Sequence, residues 1–308
     1  GLVGLANVFL VVYLISSIIG FYLVCVCIKK IRICFDMKFW KYILRESLPL
    51  ALTVVFTVIY FKIDVVMLSI IRGDNSEIGW YSAAMRLIEL MGVVPALIVS
   101  ALFPIVSGLH KESIDSLRKV YQASFRYLIM IALPVAVGTL LLSGHLIYTI
   151  YGDEYVKTVP ALKILSLALI FIFVNYILMN ILVAVNRQMT NAIMAGTCVF
   201  VNIALNVCLI PRYGYLGAGT ATVITEIVLF ILGLYYVAKY ICKTNIVAVA
   251  SKPFISVAIM GTFIVLTTAR LNLAFVIILS ALTYFTCLLL FRFFTKEDKM
   301  ILIHLIRK

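Results

Sequence analysis

Charge is scarce in this sequence, and the scarcity excludes a good deal. Charged residues make up 13% of the 308, hydrophobic residues 64%, and the mean hydropathy is +1.16. Soluble domains are closer to half apolar and about a quarter charged. The chain is long enough for a large soluble core, but it has too little polar covering to be one. Short segments of alternating polarity are also missing, which removes an outer-membrane β-barrel. Its three histidines, His110, His145 and His304, are too far apart to argue for a site. The seven cysteines (Cys25, Cys27, Cys34, Cys198, Cys208, Cys242 and Cys287) have no zinc-type spacing, and Cys25-Val26-Cys27 is too close for one. They read as small apolar filler. No nucleophile–base spacing, phosphate-cradling glycine loop or metal signature occurs, so the sequence points to no enzyme, cofactor or metal.

What the sequence does have is apolar blocks of twenty residues or more. At roughly 1.5 Å per helical residue each can cross about 30 Å of hydrocarbon. We read nine spans, at 5–28, 48–71, 79–108, 123–143, 159–185, 190–210, 215–238, 253–270 and 272–291. The connections are short, leaving no room for an extramembrane domain. The longest outer connection is taken as 143–158, and Arg270-Leu271-Asn272 has to turn very tightly. Pro95 and Pro134 fall inside spans, where kinks are expected. The fold class is therefore all-α, a polytopic membrane protein.

The net charge of +13 would suggest nucleic acid if it clustered on one exposed surface. Instead it sorts by side of the membrane. One set of alternate loops holds 19 of the 26 basic residues: Lys29, Lys30, Arg32, Lys38, Lys41, Arg45, Lys111, Arg118, Lys119, Arg126, Arg187, Lys239, Lys243, Lys252, Arg292, Lys296, Lys299, Arg307 and Lys308. The other set holds Arg72, Lys157, Arg212 and Arg270, and Lys62, Arg86 and Lys163 lie within spans. By the positive-inside rule the first set, including the C-terminus, is cytoplasmic. Nine spans then place residue 1 outside, without a signal peptide's basic leader. We therefore expect an odd number of further spans upstream and no nucleic-acid partner.

Between the first two spans, Phe35, Phe39, Trp40, Ile43 and Leu44 can share one helical stripe, with Lys38, Lys41 and Arg45 elsewhere around the helix. That pattern suits an amphipathic helix in the cytoplasmic interface, either a linker between lobes or a juxtamembrane anchor. Residues 48–238 supply six spans that can pack as one bundle, and 253–291 add a pair.

Ionisable groups in hydrocarbon are expensive and mark a pathway or a buried pair. Lys62 and Asp64, two residues apart, point about 200° from one another and cannot pair on one face. Tyr60 and Asp64, at i and i+4, share one. Ser82, Arg86 and Glu89 form a polar stripe. Arg86 and Glu89 can neutralise each other as a buried ion pair, or Arg86 can line an aqueous cavity with Lys62 or Asp64 nearby. A cationic cavity favours an anion such as a phosphate ester. Glu226, beside Thr222 and Thr225, is either a proton or cation site or a carboxyl bonded to a neighbouring helix. Asn175, Asn180, Asn202 and Asn206 read as interhelical hydrogen-bonding residues.

Several strings occur in a suggestive order: Arg45-Glu46-Ser47-Leu48-Pro49-Leu50, Tyr60-Phe61-Lys62-Ile63-Asp64-Val65-Val66-Met67-Leu68, Ile78-Gly79-Trp80-Tyr81-Ser82-Ala83-Ala84-Met85-Arg86-Leu87, Leu102-Phe103-Pro104, and Leu209-Ile210-Pro211-Arg212-Tyr213-Gly214-Tyr215-Leu216-Gly217-Ala218-Gly219-Thr220-Ala221-Thr222 followed by Thr225-Glu226. Together they resemble the polysaccharide-transporter flippases of the multidrug/oligosaccharidyl-lipid/polysaccharide exporter superfamily, which includes O-antigen flippases. Members have two six-helix lobes around a central cavity, often with two extra C-terminal helices. The resemblance implies that 1–30 is the last helix of an incomplete N-terminal lobe and 31–47 a cytoplasmic amphipathic linker. It further implies that 48–240 is a complete second six-helix lobe, and 241–308 an extra helix pair with a basic tail. Five helices would then be missing, an odd number, as the charge bias requires.

The resemblance also implies an activity: moving a polyprenyl-diphosphate-linked oligosaccharide from the cytoplasmic to the outer leaflet of the cell membrane, in polysaccharide assembly. The lobes would rock around a central site. Arg45, Lys62 and Arg86 would hold the diphosphate-sugar headgroup, the lipid tail would stay among membrane lipids, and polysaccharide assembly proteins are candidate partners. Moving one charge across the membrane exchanges about 2.3 kcal/mol per 100 mV, so an ion gradient coupled through Asp64 or Glu226 would bias the cycle. Tyr60, Ser82, Glu89, Asn175 and Asn180 would be structural or cavity polar groups. Two rivals remain open at this point. A cation-coupled multidrug antiporter of the same superfamily would have a cavity dominated by acidic and aromatic groups, and a membrane glycosyltransferase or polymerase would need a larger outer loop than 143–158.

Overall fold

The computed structural model describes residues 2–27, 35–268 and 271–293. Among these residues nine long helices account for the regular structure: α1 (Leu2–Cys27), α2 (Met37–Arg72), α3 (Asn75–Glu112), α4 (Ile114–Tyr151), α5 (Thr158–Ala184), α6 (Gln188–Tyr213), α7 (Tyr215–Tyr240), α8 (Ile246–Thr267) and α9 (Leu273–Leu290). Each contains a stretch long and apolar enough to cross a membrane. The all-α, polytopic architecture with nine spans is thus the one read from the sequence. The basic segments at 28–34 and 294–308 lie outside the described residues.

The chain divides into two compact units, Gly1–Ser47 and Leu48–Lys308. In the first, α1 is apolar and exposed along its described side chains, as suits a helix solvated by lipid. Asp36 opens α2: its carboxylate accepts the backbone N–H groups of Lys38 at 2.9 Å and Phe39 at 3.3 Å. Phe35 stacks on Trp40, with ring centroids 6.4 Å apart. The amphipathic stripe and the next span were expected as separate helices, but α2 runs unbroken from Met37 through Pro49 to Arg72. Proline forfeits one backbone hydrogen bond, and a helix in hydrocarbon can absorb that loss where side chains help.

The second unit is built around α5. This helix is hydrophobic on every side and packs against α3, α4 and α7 at once, so Leu162, Leu165, Leu169, Phe173 and Leu178 are fully enclosed. α6 lies on α7, α8 on α4, and α9 on α8. Lipid tails are as apolar as leucine, so close fit and buried hydrogen bonds hold these helices together more than burial itself. The largest enclosed side chains show the principle. Tyr81, Tyr121 and Tyr284 are completely buried, and each hydroxyl has a partner. Tyr284 donates at 2.7 Å to the Met130 carbonyl, the one that Pro134 leaves without a helical donor.

The turns are chemically specified. Gly73 and Asp74 end α2 and cap α3, Ser113 caps α4, Asn245 caps α8, and Asn272 caps α9. The outer connection expected at 143–158 is shorter than expected. Ser143, Gly144 and His145 are helical, Ile147 is fully buried, and α4 stops only at Gly152, whose φ is +79°. Leu146, Ile147 and Tyr151 still pack on the core, so nothing ends α4 before a residue that tolerates positive φ. Gly214 (φ +57°) separates α6 from α7, and there Glu77 accepts the Tyr215 N–H at 3.1 Å while meeting Arg72 at 2.8 Å. The α3, α6 and α7 ends are thereby tied together.

Candidate functional site

α2 carries the chemistry on two faces. Tyr60 and Asp64, one turn apart, both point inward and are 4% and 1% exposed, whereas Lys62 between them has a side chain 63% exposed. The helical geometry expected from the spacing is the one found.

Asp64 is enclosed by neutral donors. Its Oδ2 accepts the Tyr81 and Thr222 hydroxyls, each at 2.6 Å, and its Oδ1 accepts the Asn206 side-chain amide, also at 2.6 Å. Asn206 donates in addition to the Asn202 carbonyl oxygen at 2.9 Å. α2, α3, α6 and α7 therefore meet at a single carboxylate. Two buried amide atoms there, Asn202 Nδ2 and Asn206 Oδ1, have no partner. Such groups inside a hydrocarbon-solvated protein are costly unless another species serves them.

Glu226 lies one turn along α7 from Thr222 but belongs to a different cluster. Its Oε1 accepts the Tyr60 hydroxyl at 2.6 Å and its Oε2 the Asn175 amide at 2.7 Å. It borders a cavity of about 370 Å³ whose walls include Thr57, Phe61, Asn175, Tyr176, Asn180 and Asn191. Asn180 sits in that wall with its amide donating to the Tyr176 carbonyl at 2.9 Å. Of the four asparagines read as interhelical, Asn175 and Asn206 join helices, whereas Asn180 bonds one turn back in α5 and Asn202 accepts from Asn206 of its own helix.

The basic residues gather separately. Lys62 on α2 and Glu89 on α3 form an ion pair at 2.7 Å, and Arg86 reaches the other Glu89 oxygen at 3.5 Å. Ser82 is half-buried one turn before Arg86. The sequence suggested an Arg86–Glu89 pair within one helix, but the shorter bond goes to Lys62 across helices. Two cations thus share one acid and leave one positive charge over. Lys62 and Glu89 border a second cavity of about 440 Å³ that shares Thr57, Phe61, Ile172 and Tyr176 with the first. Arg45 is exposed on the part of α2 that belongs to the first unit.

Sequence reasoning singled out Asp64 but not its surroundings. Tyr81 stood out only as part of the 78–87 string, and only the i, i+4 spacing of Asn202 and Asn206 could have signalled that two amides face the same point. Asn191 and Cys198, both lining the Glu226 cavity, carried no signal beyond their type. Among the described residues no group of three or more His, Cys, Asp or Glu side chains is placed to hold a metal ion.

Comparison with known proteins bears on this arrangement. Residues 4–160 match the family model described as "Polysaccharide biosynthesis protein". The chain is 26% identical over 192 residues to the probable flippase AglR of Haloferax volcanii, covering 61% of this chain and 40% of that protein. It is 28% identical over 163 residues to a putative O-antigen transporter of Shigella flexneri, covering 52% and 37%. It spans less than half the length of these and the other curated relatives it matches. In fold it resembles the inward closed lipid II flippase MurJ, with a TM-score of 0.71 at 22% identity over 91% of this chain and 60% of that one. An outward-facing MATE family transporter of the MOP superfamily follows at 0.58 and 17%, over 80% and 63%. At these identities the structural likeness speaks for the fold, and the family match, which covers half of the chain, settles membership: this protein belongs to the polysaccharide biosynthesis protein family.

Proposed function

We propose that this chain is the transport-lobe portion of a flippase, a transporter rather than an enzyme, that carries a lipid-linked oligosaccharide from the cytoplasmic to the outer leaflet of the cell membrane. The observation that carries the reading is the Lys62–Glu89–Arg86 cluster. It is a net positive, largely exposed group among membrane-spanning helices, beside a cavity of about 440 Å³. Three charges in hydrocarbon are expensive, and a surplus cation there suits an anionic visitor better than a structural pair. Guanidinium and ammonium donors match a polyprenyl diphosphate. The C-terminus is proposed to be cytoplasmic on the charge bias, and Arg45, on the first unit, stays a separate basic group. The relatives support the reading by name, being a probable flippase and a putative O-antigen transporter.

Asp64 is the proposed coupling group. A carboxylate shared by four helices and served only by neutral donors makes its charge balance depend on a bound proton or monovalent cation. Its occupancy would bias how α2, α3, α6 and α7 pack. Glu226 is proposed to exchange charge in the same way across its own cavity.

The test is complementation with the complete coding sequence in a flippase-deficient cell, reading surface glycan. Wild type should restore export. Lys62→Ala combined with Arg86→Ala should lower it at least tenfold at unchanged membrane abundance. Normal export by the double variant would overturn the cationic-site reading, and drug resistance without glycan export would overturn the flippase assignment.

A further inference from the structure

The cavity beside Glu226 differs in polarity from the one beside Lys62, although the two share a wall. Its polar atoms are largely spent within the protein. Thr53 and Thr57 donate to the Pro49 and Thr53 carbonyls at 2.8 Å, and Tyr60 donates to Glu226. The asparagine amides donate inward as well: Asn175 to Glu226, Asn180 to Tyr176 and Asn191 to the Met179 carbonyl. Of the polar atoms left over, the Tyr176 hydroxyl and Cys198 thiol can donate, and the rest are acceptors. The side-chain oxygens of Asn175 and Asn191, residues 4% and 2% exposed, are buried without partners, and the Glu226 carboxylate meets two neutral donors and no cation. Among the described residues no basic side chain lines this space. The rest of the wall is apolar or aromatic, including Phe61, Ile172, Tyr176, Met179 and Leu229.

A ligand suited to such a surface supplies hydrogen-bond donors, a positive charge and a body that tolerates aromatic walls. We infer that the Glu226 cavity is a binding site for a protonated amine, with the ammonium at the Glu226 carboxylate and the body against Phe61 and Tyr176. The aromatic rings add cation–π attraction to the charge-assisted bonds. A volume of about 370 Å³ lies in the usual range for small-ligand pockets, roughly 300–1,000 Å³. A phosphate would meet no cationic donor there, only the Tyr176 hydroxyl and Cys198 thiol, and would face the carboxylate. The amine can belong to an amino sugar or to a free amphipathic amine. The inference stands apart from the flippase reading because it concerns binding in this lobe and not export.

The chain reconstituted in nanodiscs is titrated with dansylcadaverine, a fluorescent primary amine, and with its neutral N-acetyl derivative. Saturable binding of the amine above protein-free nanodiscs is expected, with the neutral derivative at least tenfold weaker. Glu226→Gln, which keeps the shape and removes the charge, should weaken the amine at least tenfold. Should that variant fail to fold, Ala195→Phe fills the same cavity without touching the carboxylate and should abolish binding. Competition by glucosamine but not N-acetylglucosamine would assign the amine to a sugar; competition by apolar amines alone would assign it to a free amphiphile. Equal binding of both probes, or equal binding by wild type and folded Glu226→Gln, would overturn the inference. Absence of saturable binding would overturn it too, leaving the spare oxygens to water.

Discussion

Removing the Asp64 charge should cost this protein less than removing one of the groups that serve it. In Asp64→Asn the volume is unchanged and every neighbour has a second partner within reach. The Tyr81 hydroxyl lies 3.1 Å from the Thr222 oxygen, Thr222 lies 3.1 Å from the Ala218 carbonyl, and Asn206 already donates to Asn202 at 2.9 Å. The new amide can donate to both hydroxyl oxygens while its carbonyl keeps the Asn206 bond. Charge-assisted bonds are lost, but so is the cost of holding an uncompensated acid away from water, and exchanging buried charge for neutral groups of similar shape is often close to neutral. We expect a change within about 1 kcal/mol, or a midpoint shift of a few degrees at most, on the order of 2–4 °C per kcal/mol. Tyr81→Phe is the opposite case. It strips one 2.6 Å donor from a fully buried carboxylate and leaves a cavity the size of a hydroxyl, which should cost about 1–3 kcal/mol. Thermal unfolding of the two purified variants in one detergent gives the order directly. A larger loss for Asp64→Asn than for Tyr81→Phe would refute the claim that this acid is kept for its charge and not for its fit. Export should fail in Asp64→Asn despite its retained stability.

Two structural predictions accompany this one. A methyl group at Gly217 would sit 2.5 Å from the Leu209 carbonyl oxygen, a backbone atom that cannot swing aside. Gly217→Ala should therefore part α6 from α7 and cost about 1–3 kcal/mol in thermal unfolding, whereas a neutral outcome would mean that the helix ends are looser than described. Tyr284→Phe should lose a similar 1–3 kcal/mol, because it strands the Met130 carbonyl that Pro134 has already deprived of a donor. Restoring that donor from within the helix with Pro134→Ala should recover most of the loss in the double variant.

The fold was legible because hydrocarbon imposes one rule on every segment. Backbone groups must be satisfied internally, so apolar blocks of sufficient length become helices and their number can be counted. The same rule explains the errors at the ends. A helix leaving the bilayer stops only where a residue stops it, so α4 ran past Ser143 to Gly152 and α2 began at Met37, well before its apolar block. Within the site, what followed from one helix was readable: Tyr60 and Asp64 share a face, and Lys62 faces away. What depends on two helices was not. Glu89 had a nearby cation in its own helix, Arg86, and nothing local showed that Lys62 would approach it more closely. Likewise, Asp64 and Glu226 look alike in sequence, each an isolated acid in a span. Only packing separates them, because α7 presents Thr222 to Asp64 and Glu226, one turn later, to Tyr60, one turn back along the same face of α2. One acid is thereby closed within four helices and the other is left at the edge of an open cavity. That difference is the reason to expect separate consequences from Asp64→Asn and Glu226→Gln.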